Sequence, residues 1–280
     1  MSQADQLVWQ RRCPSLEHIT WIQRNHIMQM ESFGLLWNEQ GRELKSLDIS
    51  CGITHDQHLS VIFTQLPFLE KLVAQDSEFG PISLTALLTN LRDKIQVLDL
   101  AGCKAVTPEM VNLIMESCPS LKSLSADRLR AADGDDSGGS GGGGGVFTGP
   151  TLLPPNEAQF ATYSKIATLK KLRVLNLGRY TSSTPPPKSI LDLSLAGGFQ
   201  QLESLKELRV FDFCHLDHKM TMEEFKFMLK AWPKLETIHG KLSSGGTRAS
   251  FIESYLKNKR PWLRVKSSMG FNRRATRTEY

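Results

Sequence analysis

IQVLDLAGCKAVTPEMVNLIMESCPS, residues 95–120, contains a strand pattern and a helix pattern within 26 residues. Its first part, IQVLDL, has large aliphatic residues at the spacing L-x-x-L-x-L. Because side chains alternate between the two faces of a strand, Leu98 and Leu100 lie on the same side of it. We therefore expect a short strand that buries these two leucines.

The second part of the stretch, TPEMVNLIMES, predicts a helix. Thr107 is a good N-cap, Pro108 suits the first helical position, and Glu109 is favourable in the first turn. Apolar residues then recur at helical spacing on one face, at Met110, Leu113 and Ile114. Such a helix returns the chain to the start of the next strand, so consecutive strands are expected to be parallel.

The strand pattern recurs along the chain. Its copies are LEHITW from Leu16, LKSLDI from Leu44, LEKLVA from Leu69, IQVLDL from Ile95, LKSLSA from Leu121, LRVLNL from Leu172, LRVFDF from Leu208, LETIHG from Leu235 and a degraded WLRVKS from Trp262. The steps between their first residues are 28, 25, 26, 26, 51, 36, 27 and 27, and six of these eight lie between 25 and 28. A period of this size is the signature of a stacked repeat protein.

The two long steps coincide with segments of unusual composition. The first contains DGDDSGGSGGGGGVFTGP, and we expect a flexible Gly-rich insertion at residues 131–152. The second contains TSSTPPPKS, which predicts a Pro-rich loop at residues 181–189. A phosphate-binding loop is a poor explanation of the glycines, because no Lys-Ser/Thr pair follows them and no strand precedes them.

The repeats must stack, because one repeat cannot bury its own apolar face. The sequence thus predicts an α/β fold, a horseshoe-shaped solenoid of about nine repeats with parallel strands on the concave side and helices on the convex side. The residues at the fourth position of each motif, such as Leu47, Leu98, Leu175 and Phe211, should then point into one shared interior.

The unit at residues 95–120 resembles the cysteine-containing leucine-rich repeat of F-box/LRR proteins, a ribonuclease-inhibitor-like repeat with the pattern LxxLxLxxCxxITDxGLxxLxxxCPx. The residues that match this pattern are Ile95, Leu98, Leu100, Cys103, Val106, Thr107, Met110, Leu113, Cys118 and Pro119. The other units match it less closely, since Gly52 and Leu216 stand where Cys103 does. The resemblance implies a single leucine-rich-repeat solenoid over residues 1–268, followed by a basic disordered tail at residues 269–280.

The same resemblance implies a function. F-box/LRR proteins are substrate receptors of SCF-type ubiquitin ligases, in which the F-box binds the cullin adaptor and the repeats bind the substrate for ubiquitin-dependent catabolism. The first motif here begins at Leu16, and we recognise no F-box ahead of it. A free-standing scaffold or regulator without a link to a ligase is therefore the alternative hypothesis.

The partner is expected to bind the residues that flank the inward-facing leucines. The eight residues that we predict to contact a protein partner are Ser46, Asp48, Lys71, Asp99, Ser125, Asn176, Asp212 and His239. Three of them, Asp48, Asp99 and Asp212, would form an intermittent acidic row that could meet a basic ligand. Aspartate between leucines is also common in such repeats without a role in binding.

Composition excludes several classes of function. With 40% hydrophobic and 22% charged residues and no apolar run long enough to span a bilayer, the sequence predicts a cytoplasmic or nuclear protein without a membrane partner. Five dispersed cysteines without a CxxC pair indicate reduced, buried thiols. Motifs such as GxSxG, HExxH or a Walker loop are missing, so we predict no enzyme activity, no catalytic residues and no cofactor.

The C-terminal residues 257–280 are strongly basic, with eight Lys or Arg residues against Glu279 alone. Such a charge could attract nucleic acid. Aromatic residues are sparse in this segment, however, and do not alternate with the basic ones as in a base-stacking surface. A solvated tail is the simpler interpretation, and nucleic acid remains the alternative partner.

Two clusters contain metal-ligating residue types. The first is CHLDH, residues 214–218, and the weaker one comprises His55, Asp56 and His58. Zinc needs about four ligands, and no second cluster is evident that would complete either set. A strand end that turns into a loop explains CHLDH more simply, so the sequence does not predict a metal site.

Overall fold

A computed structural model describes residues 16–20, 43–50, 55–126, 155–177, 191–214, 216, 218, 220–243 and 246–266 of the chain. The predicted Gly-rich insertion at 131–152, the Pro-rich loop at 181–189 and the basic tail at 269–280 lie outside the described residues, as does Gly52.

The described residues form one nine-stranded sheet. Its strands are β1 (His18–Thr20), β2 (Ser46–Asp48), β3 (Lys71–Val73), β4 (Val97–Asp99), β5 (Ser123–Ser125), β6 (Val174–Asn176), β7 (Val210–Asp212), β8 (Thr237–His239) and β9 (Arg264–Lys266). Every neighbouring pair is parallel, and the order of strands in the sheet is their order in the chain. The predicted α/β class and the parallel strands are confirmed.

Helices connect most of the consecutive strands, as parallel pairing requires. Among the described residues they are α1 (Asp56–Gln65), α2 (Pro81–Asn90), α3 (Pro108–Ser117), α4 (Pro155–Thr168), a 3₁₀ helix (Phe199–Ser204), α5 (Met222–Ala231) and α6 (Gly246–Lys259). The 3₁₀ helix lies between β6 and β7, in the place that an α-helix takes between most other strands. None of the described helices is both long enough and apolar enough to cross a membrane.

The middle residues of the strands form a continuous buried row. In order they are Ile19, Leu47, Leu72, Leu98, Leu124, Leu175, Phe211, Ile238 and Val265. The seven from Leu47 to Ile238 have no exposed surface and belong to one hydrophobic core, against which Ile19 and Val265 pack. The prediction that Leu47, Leu98, Leu175 and Phe211 share one interior is confirmed.

The long step between the fifth and sixth motifs does not interrupt the sheet. Ser123 pairs with Val174 and Ser125 with Asn176, although the paired residues lie 51 positions apart. The second long step is spanned differently. Side chains of α4 hold the segment after the Pro-rich loop, since Asp192 N donates to Gln159 Oε1 at 2.8 Å and the Tyr163 hydroxyl donates to Asp192 O at 2.8 Å.

The cap of α3 matches its prediction, but its buried face differs. Thr107 Oγ1 accepts a hydrogen bond from Met110 N at 3.3 Å, and Pro108 opens the helix. Leu113, however, is 42% exposed. The buried residues are Met110, Val111, Ile114 and Met115. These four form the apolar stripe of the helix, and Leu113 lies at the edge of that stripe.

The described cysteines are the buried thiols that the sequence predicts. Cys103, Cys118 and Cys214 are buried and form no disulfide among the described residues, whereas Cys13 and Cys51 lie outside that part of the chain. Burial, with a smaller contribution from Asp93, raises the pKa of Cys118 to about 12. This thiol is protonated at neutral pH and acts as a small apolar side chain.

Candidate functional site

The two end residues of each strand point away from the buried middle row, because successive side chains alternate. We call the surface that they form the outer face. Its first row is His18, Ser46, Lys71, Val97, Ser123, Val174, Val210, Thr237 and Arg264. Its second row is Thr20, Asp48, Val73, Asp99, Ser125, Asn176, Asp212, His239 and Lys266. With neighbouring strands about 4.8 Å apart, each row is roughly 38 Å long.

All eight residues predicted to contact a partner lie on this outer face. Ser46 and Lys71 stand in the first row, and the other six stand in the second. Five of those six, from Asp99 to His239, occupy neighbouring strands without a gap, whereas Val73 separates Asp48 from them. Ser125 and Asp212 are buried, and the remaining six are half-buried.

The outer face combines a few valines with a larger number of polar side chains. Val97, Val174 and Val210 are half-buried in the first row. Two residues after each of them, on the same strand, a polar residue stands in the second row. Half-exposed valines beside polar side chains can pack against a partner while the polar groups form hydrogen bonds at the same contact. The surface therefore has the mixed character of a protein interface.

The three aspartates of the second row share one structural task. Oδ1 of Asp48, Asp99 and Asp212 accepts a hydrogen bond from the backbone N–H two residues further on, at Ser50 (3.0 Å), Ala101 (3.1 Å) and Cys214 (2.9 Å) respectively. This turn ends the strand and satisfies an N–H that the sheet does not use. The acidic row thus has a local structural cause. The carboxylates form further hydrogen bonds, since Asp48 Oδ1 also accepts from the Ser50 hydroxyl at 2.6 Å and Asp99 Oδ2 accepts from Gln75 Nε2 at 2.5 Å.

The second oxygen of Asp212 contacts His239 on the neighbouring strand. Asp212 Oδ2 lies 3.0 Å from His239 Nδ1, and Asp212 and His239 are register partners. Burial raises the pKa of Asp212, but the hydrogen bond and charge of His239 and the hydrogen bonds from the Cys214 backbone and side chain outweigh it. The pKa of Asp212 is consequently held below its usual range, so this buried carboxyl group is ionised at neutral pH.

A polar ladder borders the outer face and was not predicted. It consists of the residues just before each of the strands β1 to β8, which are Glu17, Lys45, Glu70, Gln96, Lys122, Arg173, Arg209 and Glu236. Neighbours in this ladder contact each other at 2.9 Å (Lys45 to Glu17), 2.8 Å (Gln96 to Glu70), 2.5 Å (Lys122 to Gln96) and 2.9 Å (Arg209 to Glu236). The second position of each motif, which is polar in eight copies, is the sequence signal that could have revealed it.

An open cleft of about 550 Å³ lies beside the starts of β7, β8 and β9. It is lined by Arg209, Pro233, Lys234, Glu236, Trp262 and Arg264, and Trp262 is 65% exposed. Two of its cations are already paired, Arg209 with Glu236 at 2.9 Å and Lys234 with Glu207 at 2.6 Å. These pairs reduce the positive charge of the cleft, to which Arg264 adds a further cation.

The cluster of His55, Asp56 and His58 does not form a metal centre in the described structure. The carboxylate of Asp56 accepts hydrogen bonds from the backbone at the start of α2. His55 Nδ1 instead lies 2.6 Å from Glu78 Oε2, and His58 packs edge-on against His55. The CHLDH cluster is only partly described, because His215 and Asp217 lie outside the described residues.

Comparisons with known proteins add no family to this geometry. The sequence matches no protein-family model, and a search among curated proteins also gives no match. The function must therefore be inferred from the outer face itself.

Proposed function

We propose that the chain is a leucine-rich-repeat solenoid of the F-box/LRR type and that its outer face is the concave surface that binds a protein partner. In this proposal the chain corresponds to the substrate-binding part of an SCF-type ubiquitin ligase receptor, and it is not an enzyme.

The observation that carries the proposal is the register of the sheet. A sequence period of 25 to 28 residues coincides with strands that follow each other in chain order, all parallel, each with a large apolar middle residue. Such a sheet can bury only one side in its own core. Its other side offers two uninterrupted rows of side chains over roughly 38 Å, which is a suitable length for a protein or an extended peptide.

The composition of the outer face favours a protein over a small molecule. Half-buried valines on β3, β4, β6 and β7 stand among polar side chains of the outer face. The cleft at the far end of the ladder is open and is not an enclosed apolar pocket. Binding by shape along an extended surface is therefore a better match than binding in a cavity.

The proposal predicts that arginine at two valines of the first row weakens partner binding. The double variant Val97→Arg, Val174→Arg places two charges in the middle of the outer face, with β5 between them. The matched control is Thr85→Arg, Leu113→Arg, which adds the same charge at exposed helix positions. Partners are first identified by affinity purification from cells, and their binding to the purified chain is then measured directly.

We expect the partner to bind the wild-type protein and the helix control equally. The outer-face variant should weaken its binding by at least about 10-fold, or 1.4 kcal/mol, because buried interface charges without partners are costly. A partner that binds the outer-face variant normally but loses affinity for the helix control would contradict the proposed binding surface.

The link to a ligase needs a separate measurement. A cullin adaptor that co-purifies with the chain, and does so without residues 1–15, would support the receptor role. A partner that binds directly while no adaptor or cullin is recovered, even under proteasome inhibition, would favour the free-standing scaffold. Binding to nucleic acid that disappears on removal of residues 257–280 would point to the basic segment instead.

A further inference from the structure

We propose that Asp212, Cys214 and His239 bind a zinc ion at the ends of β7 and β8. One ligand atom from each of these three residues lies within 4.8 Å of the ligand atoms of the other two. Two of the three, Asp212 and His239, are neighbours in the sheet, and Cys214 follows Asp212 by two residues. The thiol, the carboxylate and the imidazole therefore come together through the register of the sheet, which local sequence does not reveal.

The spacing of the three ligand atoms is close to that of a tetrahedral zinc site. Bonds of 2.0 to 2.3 Å from zinc to nitrogen, oxygen and sulfur place ligand atoms about 3.3 to 3.7 Å apart. The imidazole Nδ1 of His239 is already 3.0 Å from Asp212 Oδ2, and one ligand atom from each of the three residues lies within 4.8 Å of the others. Side-chain movements of about 1 Å would complete the geometry.

The charge of the three groups suits a divalent cation. Asp212 offers a carboxylate, and the thiol of Cys214 loses its proton when it binds a metal. The resulting carboxylate and thiolate neutralise Zn²⁺, and His239 adds a neutral nitrogen. The proton that His239 Nδ1 donates to Asp212 Oδ2 passes through solvent to Nε2, so binding to the neutral imidazole releases one net proton, from the thiol, and involves no oxidation or reduction. A thiolate with an imidazole and a carboxylate favours zinc over the hard cations Mg²⁺ and Ca²⁺.

Equivalent places in the sheet show that the turn at the strand end does not require these ligands. Asp48 and Asp99 form the same turn, but Ser50 and Ala101 stand where Asp212 has Cys214. Their register partners on the next strand are Val73 and Ser125, not a histidine. The turn explains why Asp48, Asp99 and Asp212 are all aspartates. Of these three, only Asp212 has both a thiol and an imidazole beside it.

The surroundings orient the ligands and leave the metal accessible. Asp212 Oδ1 is fixed by the Cys214 N–H at 2.9 Å, so Oδ2 is the oxygen directed toward His239 and the metal. The side chain of His239 is 27% exposed and that of Asp212 is 13% exposed, which allows entry from solvent. Three protein ligands leave the fourth zinc position to a water molecule.

The test is metal titration of the purified full-length protein after removal of metal by a chelator. We expect one equivalent of Zn²⁺ to bind with release of one proton. Cobalt(II) in place of zinc should give a thiolate-to-metal charge-transfer band and the intense visible bands of tetrahedral coordination. Each of Cys214→Ser, His239→Ala and Asp212→Asn should weaken zinc binding by more than about 100-fold, since loss of second-shell partners alone costs 10- to 100-fold. Cys214→Ser should also remove the charge-transfer band.

A matched control uses another buried thiol. Cys103 is 2% exposed and contacts Ala74 O at 3.1 Å, a bond that serine can replace, so Cys103→Ser should bind zinc as the wild type does. Circular dichroism of each variant checks that the fold is retained. Absence of stoichiometric zinc binding in the wild type, or a charge-transfer band that survives Cys214→Ser in a folded protein, would overturn the proposal.

Discussion

Replacing Phe211 with alanine should lower the free energy of unfolding by about 3–5 kcal/mol, the range measured for large-to-small substitutions of buried aromatics. Phe211 is the middle residue of β7 and has no exposed surface. Its ring lies 5.3 Å from the rings of Phe213 and Trp232 and 5.7 Å from that of Phe199. Alanine would leave a cavity among three aromatic rings that are themselves packed against the rest of the core.

Urea denaturation of the wild type and of Phe211→Ala measures this loss. Val210→Ala is the matched control, because it shortens the neighbouring side chain of the same strand on the half-buried outer face. We expect it to cost about 1 kcal/mol or less. A loss for Phe211→Ala no greater than that of the control would contradict a single packed interior behind the sheet.

Replacing Asp56 with alanine should cost about 2–4 kcal/mol, because this one carboxylate caps the helix of the next repeat unit. Asp56 opens α1, yet it accepts hydrogen bonds from the backbone N–H groups of Gly80 (2.9 Å), Ile82 (3.0 Å) and Ser83 (2.8 Å) at the start of α2. The Ser83 hydroxyl contacts the same carboxylate. Without it, several N–H groups at a largely buried helix start would lose their acceptor.

The close approach of the Asp56 carboxylate also explains why residue 80 is a glycine. A Cβ atom on Gly80 would stand 2.6 Å from Asp56 Oδ2, so a larger residue would displace the cap.

Asp56→Asn keeps one acceptor oxygen and should lose about half as much stability as Asp56→Ala. Asp93, whose side chain is 69% exposed, provides the surface control, and Asp93→Ala should change stability by less than about 0.5 kcal/mol. Urea denaturation that shows equal effects for Asp56→Ala and Asp93→Ala would disprove the capping role.

The period of the sequence was sufficient to predict the sheet. Leu47, Leu98, Leu175 and Phe211 could be assigned to one interior because a repeated motif places the same residue at the same point of every unit. Thr107 could be assigned as a cap because its contact with Met110 is local. Leu113 was wrongly assigned to the buried face because helical spacing alone does not show which neighbouring helix covers a residue.

Contacts between units could not be predicted in the same way. The cap from Asp56 to Ser83 and the group of Asp212, Cys214 and His239 join residues from different units, and each depends on strand register and side-chain direction. The sequence groups His215 and His218 with Cys214 because they are near in the chain, whereas among the described residues the sheet groups Cys214 and Asp212 with His239 on the next strand. The predicted partner residues lie on one face, but whether a protein binds there stays a prediction.

A disulfide cross-link between β5 and β6, which the longest step in the sequence period separates, tests the central claim. This claim is that one continuous sheet displays both rows of the outer face on the same side. Ser123 and Val174 are register partners on β5 and β6, and both are half-buried. Their Cα atoms should be about 4.8 Å apart, within the range that a disulfide spans, whereas Ser123 and Asn176 should be about 8 Å apart, outside it. Oxidation of the paired variant Ser123→Cys, Val174→Cys should yield the linked peptide by mass spectrometry, and Ser123→Cys, Asn176→Cys should not. Equal linking of both pairs, or linking of the second pair alone, would contradict the sheet on which the proposed binding face depends.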